Sequence, residues 1–183
     1  MAGSSNRGLQ HYLRNGGIIA YPTESCFGLG CDPRNRLGLQ RLLRIKGRPQ
    51  HKGLILIGSE LTQFLPYIAP INHEQQAKLN STWPGPHTWL VPAGRHCPKT
   101  LTGRHPTIAI RVTAFKPAAK LCVQAGMALV STSANRSGLR PAKSTRDCYR
   151  LFGDSVRIIA GRIGKRRKPS TIQDLATGRI LRA

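Results

Sequence analysis

Acidic side chains are the scarcest charged groups in this sequence. Seven Asp and Glu stand against 29 Lys and Arg in 183 residues, a formal charge of 29 − 7 = +22. So few carboxylates leave no dense carboxylate metal site to be read. Glu24, Asp32 and Asp174 alone lie beside the motifs described below. The charge excess implies a polyanionic partner such as RNA, or anionic substrates drawn in by the field. It equally fits a basic surface that reflects the composition of its source, and it says nothing direct about the fold. Aromatics make up 5%, so the expected core is aliphatic.

Other absences narrow the field further. The five cysteines, Cys26, Cys31, Cys97, Cys122 and Cys148, are odd in number and match no zinc spacing. They read as reduced, mostly buried thiols in a reducing compartment. His87 has no second His or Cys at ligand spacing. No apolar run approaches membrane-spanning length, and Met1–Arg7 leads into no signal-peptide core. The expected location is therefore the cytoplasm, away from membranes. Gly28 and Gly30 lack the third glycine of a dinucleotide fingerprint. The run Gly161–Pro169 misses a P-loop in glycine spacing and has Arg166 where the hydroxyl belongs. Internal repeats and low-complexity segments are absent.

What is present reads as alternating strands and helices. A helix is expected over 8–15, with Leu9, Tyr12 and Leu13 on one face. A strand follows at 18–21. Residues 22–33, with hydroxyls, Glu24, two glycines and flanking prolines, read as a ligand-presenting loop at a strand end. A helix is expected to run to Lys46. Lys46, Arg48, His51 and Lys52 then crowd one turn, which Gly47 and Pro49 stiffen, before the strand 54–57. This is a candidate anion clamp or, equally, a solvated charge run.

Residues 59–82 read as helix, turn and helix, and Trp83–Val91 as a rigid turn feeding a strand. Thr107–Val112 alternates as a strand, with Thr107 and Arg111 on one face. A helix over 115–125 ends at Gly126. Met127–Val130 reads as a buried strand, and Ser131–Gly138 as a polar loop or helix start at its end. Ser144 is the expected N-cap of a helix to Phe152. A strand at 156–160, the basic run and a hairpin over 170–182 close the chain. Six or seven strands in a mixed sheet are expected, because some links are too short for a crossover helix.

Five segments carry a resemblance together. They are Tyr21-Pro22-Thr23-Glu24 with Phe27-Gly28-Leu29-Gly30; Lys46-Gly47-Arg48-Pro49 with Lys52-Gly53-Leu54; Trp83-Pro84-Gly85-Pro86; Ile108-Ala109-Ile110-Arg111-Val112; and Ser131-Thr132-Ser133-Ala134-Asn135-Arg136-Ser137-Gly138. In this order and spacing the sequence resembles the YrdC/TsaC family of threonylcarbamoyl-AMP synthases, in its short single-domain form over 1–183 with a core of about 8–182. The resemblance implies an α/β (α+β) fold, a twisted mixed parallel/antiparallel sheet with flanking helices around a deep basic concave cavity. It implies that ATP with Mg²⁺, L-threonine and bicarbonate give threonylcarbamoyl-AMP and pyrophosphate. Threonylcarbamoyl-transfer proteins then modify tRNA beside the anticodon.

The family's KxR and SxN signature falls on Lys46, Arg48, Ser133 and Asn135, the implied catalytic set. With Thr107 and Arg182 these residues make the implied ATP set. Thr23, Lys52, Arg111, Ser131 and Ser170 make the implied threonine set; Ser131, Ser170 and Arg182 are looser matches. Arg111 would pair with the threonine carboxylate. The Lys165–Lys168 run exceeds what a small-molecule site needs, and is expected either to bind RNA or to sit over the cavity. The main alternative is a non-catalytic module binding double-stranded or ribosomal RNA. A carbamoyl-transfer domain like those of hydrogenase maturation proteins fits less well, because the chain lacks their length and zinc-finger cysteines.

Overall fold

The structure is a computed structural model that describes residues 2–183, with side chains from Asn6 onward. Met1, part of the expected 1–183 unit and of the N-terminal stretch considered above, lies outside the described residues. The strands are β1 (Ile19–Pro22), β2 (Phe27–Gly30), β3 (Ile55–Gly58), β4 (His87–Pro92), β5 (Thr107–Val112), β6 (Leu129–Ser133), β7 (Arg157–Ile158), β8 (Thr171–Asp174) and β9 (Ile180–Arg182). They form one sheet in the order β7-β1-β2-β6-β3-β5-β4-β8-β9. The pairs β1/β7, β3/β5 and β4/β8 are parallel and the others antiparallel. The helices are α1 (Ala2–Arg14), α2 (Arg36–Lys46), α3 (His73–Asn80), α4 (Lys99–Thr102), α5 (Lys116–Ala125) and α6 (Thr145–Phe152).

The mixed α/β sheet is as expected, but among the described residues nine strands replace six or seven. The stretch 22–33 is not one loop, because it contains β2. Two glycines in four residues hide that strand, since glycine is depleted in strands. A side chain would collide at Gly30 and press closely on its neighbour at Gly28. A Cβ on Gly30 would lie 2.6 Å from the Val130 carbonyl oxygen, and one on Gly28 3.2 Å from Thr23 Cγ2. Ser131, Thr132 and Ser133 continue β6 and do not begin a loop. The strand expected at 156–160 shrinks to two residues. Residues 59–82 hold a short 3₁₀ turn at Leu61–Phe64 and then α3. The first helix begins earlier than expected, at Ala2. The strand Thr107–Val112, the Gly126 stop and the Ser144 cap all appear where the sequence placed them.

The two faces of the sheet meet different surroundings. Leu29, Leu56, Ile108, Ile110 and Val130 turn to one side, packed with Leu39 and Leu42 of α2 in the larger apolar core. On the other side, Ile19, Tyr21, Ile57 and Leu129 are covered by Leu9 and Leu13 of α1 and by Leu121 and Cys122 of α5. That cover does not extend along the whole face. Ile57 pairs with Leu129 and Arg111, and the next row holds Ile55, Ala109 and Ser131. Beyond the helices these side chains face open space. Among the described residues no helix is long and apolar enough to cross a membrane.

Candidate functional site

The uncovered part of the sheet face is the floor of a cavity of about 630 Å³. Thr107, Ala109 and Arg111 of β5 share its surface with Ser131 and Ser133 of β6, Ile55 of β3 and Gly28 of β2. All eleven residues singled out from sequence line it: Thr23, Lys46, Arg48, Lys52, Thr107, Arg111, Ser131, Ser133, Asn135, Ser170 and Arg182. Arg166 and Lys168 of the basic run line it too, whereas Lys165 and Arg167 do not. Seven Lys and Arg therefore meet one carboxylate, Glu24.

The Lys46–Arg48 pair follows from helix termination. Gly47 adopts the left-handed conformation, φ 59°, ψ 37°, just past α2. Its N–H donates to the Arg44 carbonyl, and the Arg48 N–H donates to the Leu43 carbonyl, each at 3.1 Å. This is a Schellman ending, which reverses the chain at a residue that is best glycine. Reversal keeps Arg48 beside Lys46, the last helical residue, where the helix dipole favours a cation. Arg48 is in turn fixed by donating from Nε to the Gly53 carbonyl at 3.1 Å and from Nη2 to the Lys52 carbonyl at 3.3 Å.

Lys46 is buried, and its ammonium reaches across to the end of β6. Nζ lies 2.7 Å from the Ser133 carbonyl oxygen, 3.2 Å from Ser133 Oγ, 3.2 Å from the Asn135 carbonyl oxygen and 3.1 Å from Asn135 Oδ1. Four acceptors surround three N–H donors, so the ammonium is fully engaged with the loop. Asn135 Nδ2 donates to the Arg136 and Leu139 carbonyls at 2.8 Å, which shapes the turn beyond β6. The Ser137 N–H donates back to the Lys46 carbonyl at 2.7 Å. Burial, and then the Arg48 guanidinium, pull the Lys46 ammonium down to about 8. It still carries its proton at neutral pH.

At the opposite wall Arg111 Nη2 donates to Glu24 Oε2 at 3.2 Å, and Thr113 Oγ1 donates to Glu24 Oε1 at 2.8 Å. Both members of this ion pair are largely withdrawn from solvent, with side chains 10% and 16% exposed. Arg111 Nε is buried without a partner. Sequence reasoning assigned Arg111 to a ligand and missed its anchor. Thr113 stands two residues along the chain on the same side, a spacing that could have suggested it. Thr23 Oγ1 donates to the Cys26 carbonyl at 2.7 Å, so its lone pairs remain as acceptors. Burial pushes the Cys26 thiol up, away from thiolate chemistry.

The C-terminal hairpin closes a third side. Arg182 donates from Nε and Nη2 to the Ser170 carbonyl at 2.9 and 2.8 Å, and from Nη2 to Ser170 Oγ at 3.2 Å. Ser170 Oγ also shares a 2.8 Å hydrogen bond with Thr88 Oγ1. The basic run lies along the Thr23–Glu24 backbone: the Gly164 N–H donates to the Thr23 carbonyl at 2.9 Å and the Arg166 N–H to the Glu24 carbonyl at 3.1 Å. A Cβ on Gly164 would sit 2.7 Å from that same Glu24 oxygen, so glycine permits the approach. Among the described residues no group of three His, Cys, Asp or Glu is placed to hold a metal ion.

The chain is similar to proteins of known family and structure. The family model described as Sua5/YciO/YrdC, telomere recombination, matches residues 11–183. The chain is 62% identical over 176 residues to a threonylcarbamoyl-AMP synthase of Methylobacillus flagellatus, covering 96% of this chain and 98% of that protein. It is 57% identical over 176 residues to one of Thiobacillus denitrificans, covering 96% and 94%. Among solved structures, P. abyssi Sua5 complexed with L-threonine superposes with a TM-score of 0.85 at 28% identity. That match covers 94% of this chain and 51% of the Sua5 chain, so this chain spans about half its length.

Proposed function

The chain belongs to the Sua5/YciO/YrdC family, and from that premise we propose that it is a threonylcarbamoyl-AMP synthase acting as one YrdC-like domain over about 8–182. Threonine, bicarbonate and ATP are its substrates. The observation that most supports this reading is the Lys46 ammonium caged by Ser133 and Asn135 beside Arg48 on the wall of a cavity. A module that only binds RNA needs positive charge, but no such hydroxyl–amide–ammonium cluster.

The chemistry runs in two steps. Threonine and bicarbonate condense to a carbamate, releasing water and a proton. A carbamate oxygen then attacks the α-phosphorus of ATP, the bond from that phosphorus to the α,β-bridging oxygen breaks, and pyrophosphate leaves. Negative charge grows on phosphate oxygens, so the protein needs fixed cations and donors more than a nucleophile. Arg48 and Arg182 face the triphosphate. Lys46 adds its charge and holds Ser133 and Asn135 in place for the reacting oxygens, while Thr107 lines the nucleotide side. Arg111, Thr23, Lys52, Ser131 and Ser170 hold threonine. Mg²⁺ enters as part of the ATP substrate and keeps its waters. Arg166 and Lys168 extend the positive wall toward the incoming nucleotide. The product passes in the cytoplasm to proteins that transfer threonylcarbamoyl to tRNA.

Pyrophosphate release from MgATP tests this. Release that requires both threonine and bicarbonate is expected. Release indifferent to either substrate, or none from folded protein that binds RNA, removes the reading and favours the RNA-binding module.

Lys46 also gives the activity a pH signature. Its ammonium is lost near pH 8, so kcat/KM for ATP is expected to fall above about 8. Bound triphosphate favours the charged form, so the alkaline limb of kcat should lie at higher pH than that of kcat/KM. Coincident limbs, or a flat profile to pH 10, would count against Lys46 as the titrating group. Its contribution to stability has the opposite sense. The unfolded chain keeps this proton up to about 10.5 while the folded chain releases it near 8, so that contribution rises with pH across the window.

A further inference from the structure

Glu24 has no part in the chemistry derived above. Among the described residues it is the one carboxylate that lines the cavity, beside seven Lys and Arg side chains. The chain carries only seven acidic residues, and a carboxylate in such a place has a strong electrostatic reason to be there. Part of that reason is Arg111, which it neutralises at 3.2 Å. Neutralising one guanidinium does not require the elaborate support that Glu24 receives. Thr113 orients Oε1 from one side, and Arg111 holds Oε2 from the other. The basic run clamps the backbone through Gly164 and Arg166, with a glycine where any side chain would strike the Glu24 backbone.

Each carboxylate oxygen accepts one of these hydrogen bonds and keeps a second acceptor site. The pair therefore presents a cation and an anion side by side at the cavity wall. That is the complement of an α-amino acid zwitterion, whose carboxylate and ammonium leave the same carbon. A threonine carboxylate on Arg111 places the ammonium among the cations of this cavity unless it meets Glu24. We propose that Glu24 is the residue that recognises the α-ammonium of the amino-acid substrate, and thereby selects amino acids over carboxylic acids lacking the amine. This rests on the synthase reading above.

The experiment compares binding of L-threonine with that of (R)-3-hydroxybutanoate, which is threonine without its amine. Calorimetry would be run on the intact protein and on Glu24→Gln, which keeps the side-chain shape. In the wild type threonine should bind about 10²-fold more tightly than the deamino acid. In Glu24→Gln threonine should weaken about 10²-fold, a loss in the range for breaking a buried charge-assisted contact, while the deamino acid changes little. The ratio between the ligands then collapses toward one. Equal weakening of both ligands would overturn the proposal, because a carboxylate that only supports Arg111 acts on the shared carboxyl group. An unchanged ratio with unchanged affinities would overturn it as well. Wild-type protein that binds ATP but neither acid would instead sink the synthase reading itself.

Discussion

Lys46→Met should lower kcat/KM for ATP, read as threonine- and bicarbonate-dependent pyrophosphate release, by about 10³-fold or more. Methionine keeps an unbranched stem of similar reach and removes only the charge and its donors. Two losses combine. The first is the fixed positive charge beside the phosphates; losing such preorganised electrostatic stabilisation of a developing oxyanion costs up to about 3–4 kcal/mol. The second is local. Ser133 O and Oγ and Asn135 O and Oδ1 all lie within 3.2 Å of Nζ, and without it buried acceptors go unmet at about 1–3 kcal/mol each. The end of β6 and the turn through Leu139 should loosen, so kcat falls as well as affinity. A variant that melts cooperatively yet retains activity within tenfold of wild type would remove Lys46 from the centre of the site.

Arg111→Met should raise KM for threonine by about 10²–10³-fold and lower Tm by about 6–12 °C. The stability loss comes from Glu24. With both side chains largely buried, removing the arginine leaves a carboxylate with only Thr113 for company, a loss of about 3 kcal/mol or more. For a chain of this size each kcal/mol is worth about 2–4 °C. The double variant Glu24→Gln/Arg111→Met separates the two effects. It should recover much of the lost Tm, since no charge remains to strand, and recover none of the threonine affinity. A single variant as stable as wild type would mean that water already solvates Glu24.

The elements legible in the sequence were those whose signals are local. Gly126 ends α5 in the left-handed conformation, and Ser144 caps α6 with a reciprocal bond to Asp147. Thr107–Val112 kept its alternation because one face meets the core. β2 and β6, which line the cavity with it, lost theirs. Gly28 in β2 and Ser131 to Ser133 in β6 are the small or polar residues of a cavity floor, and Gly30 is fixed by the nearby Val130 carbonyl, so these stretches read as loops. The eleven candidate residues were found by resemblance to a family pattern, and their convergence on one cavity is a fact of three dimensions. The bonds that organise them span 87 to 89 residues, Lys46 to Ser133 and Asn135, Glu24 to Arg111 and Thr113. No periodicity reports a contact at that distance. Of the basic run, expected to bind RNA or to sit over the cavity, Arg166 and Lys168 line the cavity and Lys165 and Arg167 do not.

One strand face serves both as packed interior and as binding wall. On β6, Leu129 lies under the helices while Ser131 and Ser133 floor the cavity, and Val130 points into the opposite core. A slip of one residue in pairing would exchange these sets, placing Val130 in the cavity and Ser131 in oil. Such a sheet fails as a solvent-excluding layer at the same moment as it fails as a site. A β6 slipped by one residue would therefore lose its packing and its cavity floor together, and the hydroxyls that mark the cavity guard the register of the strand that carries them.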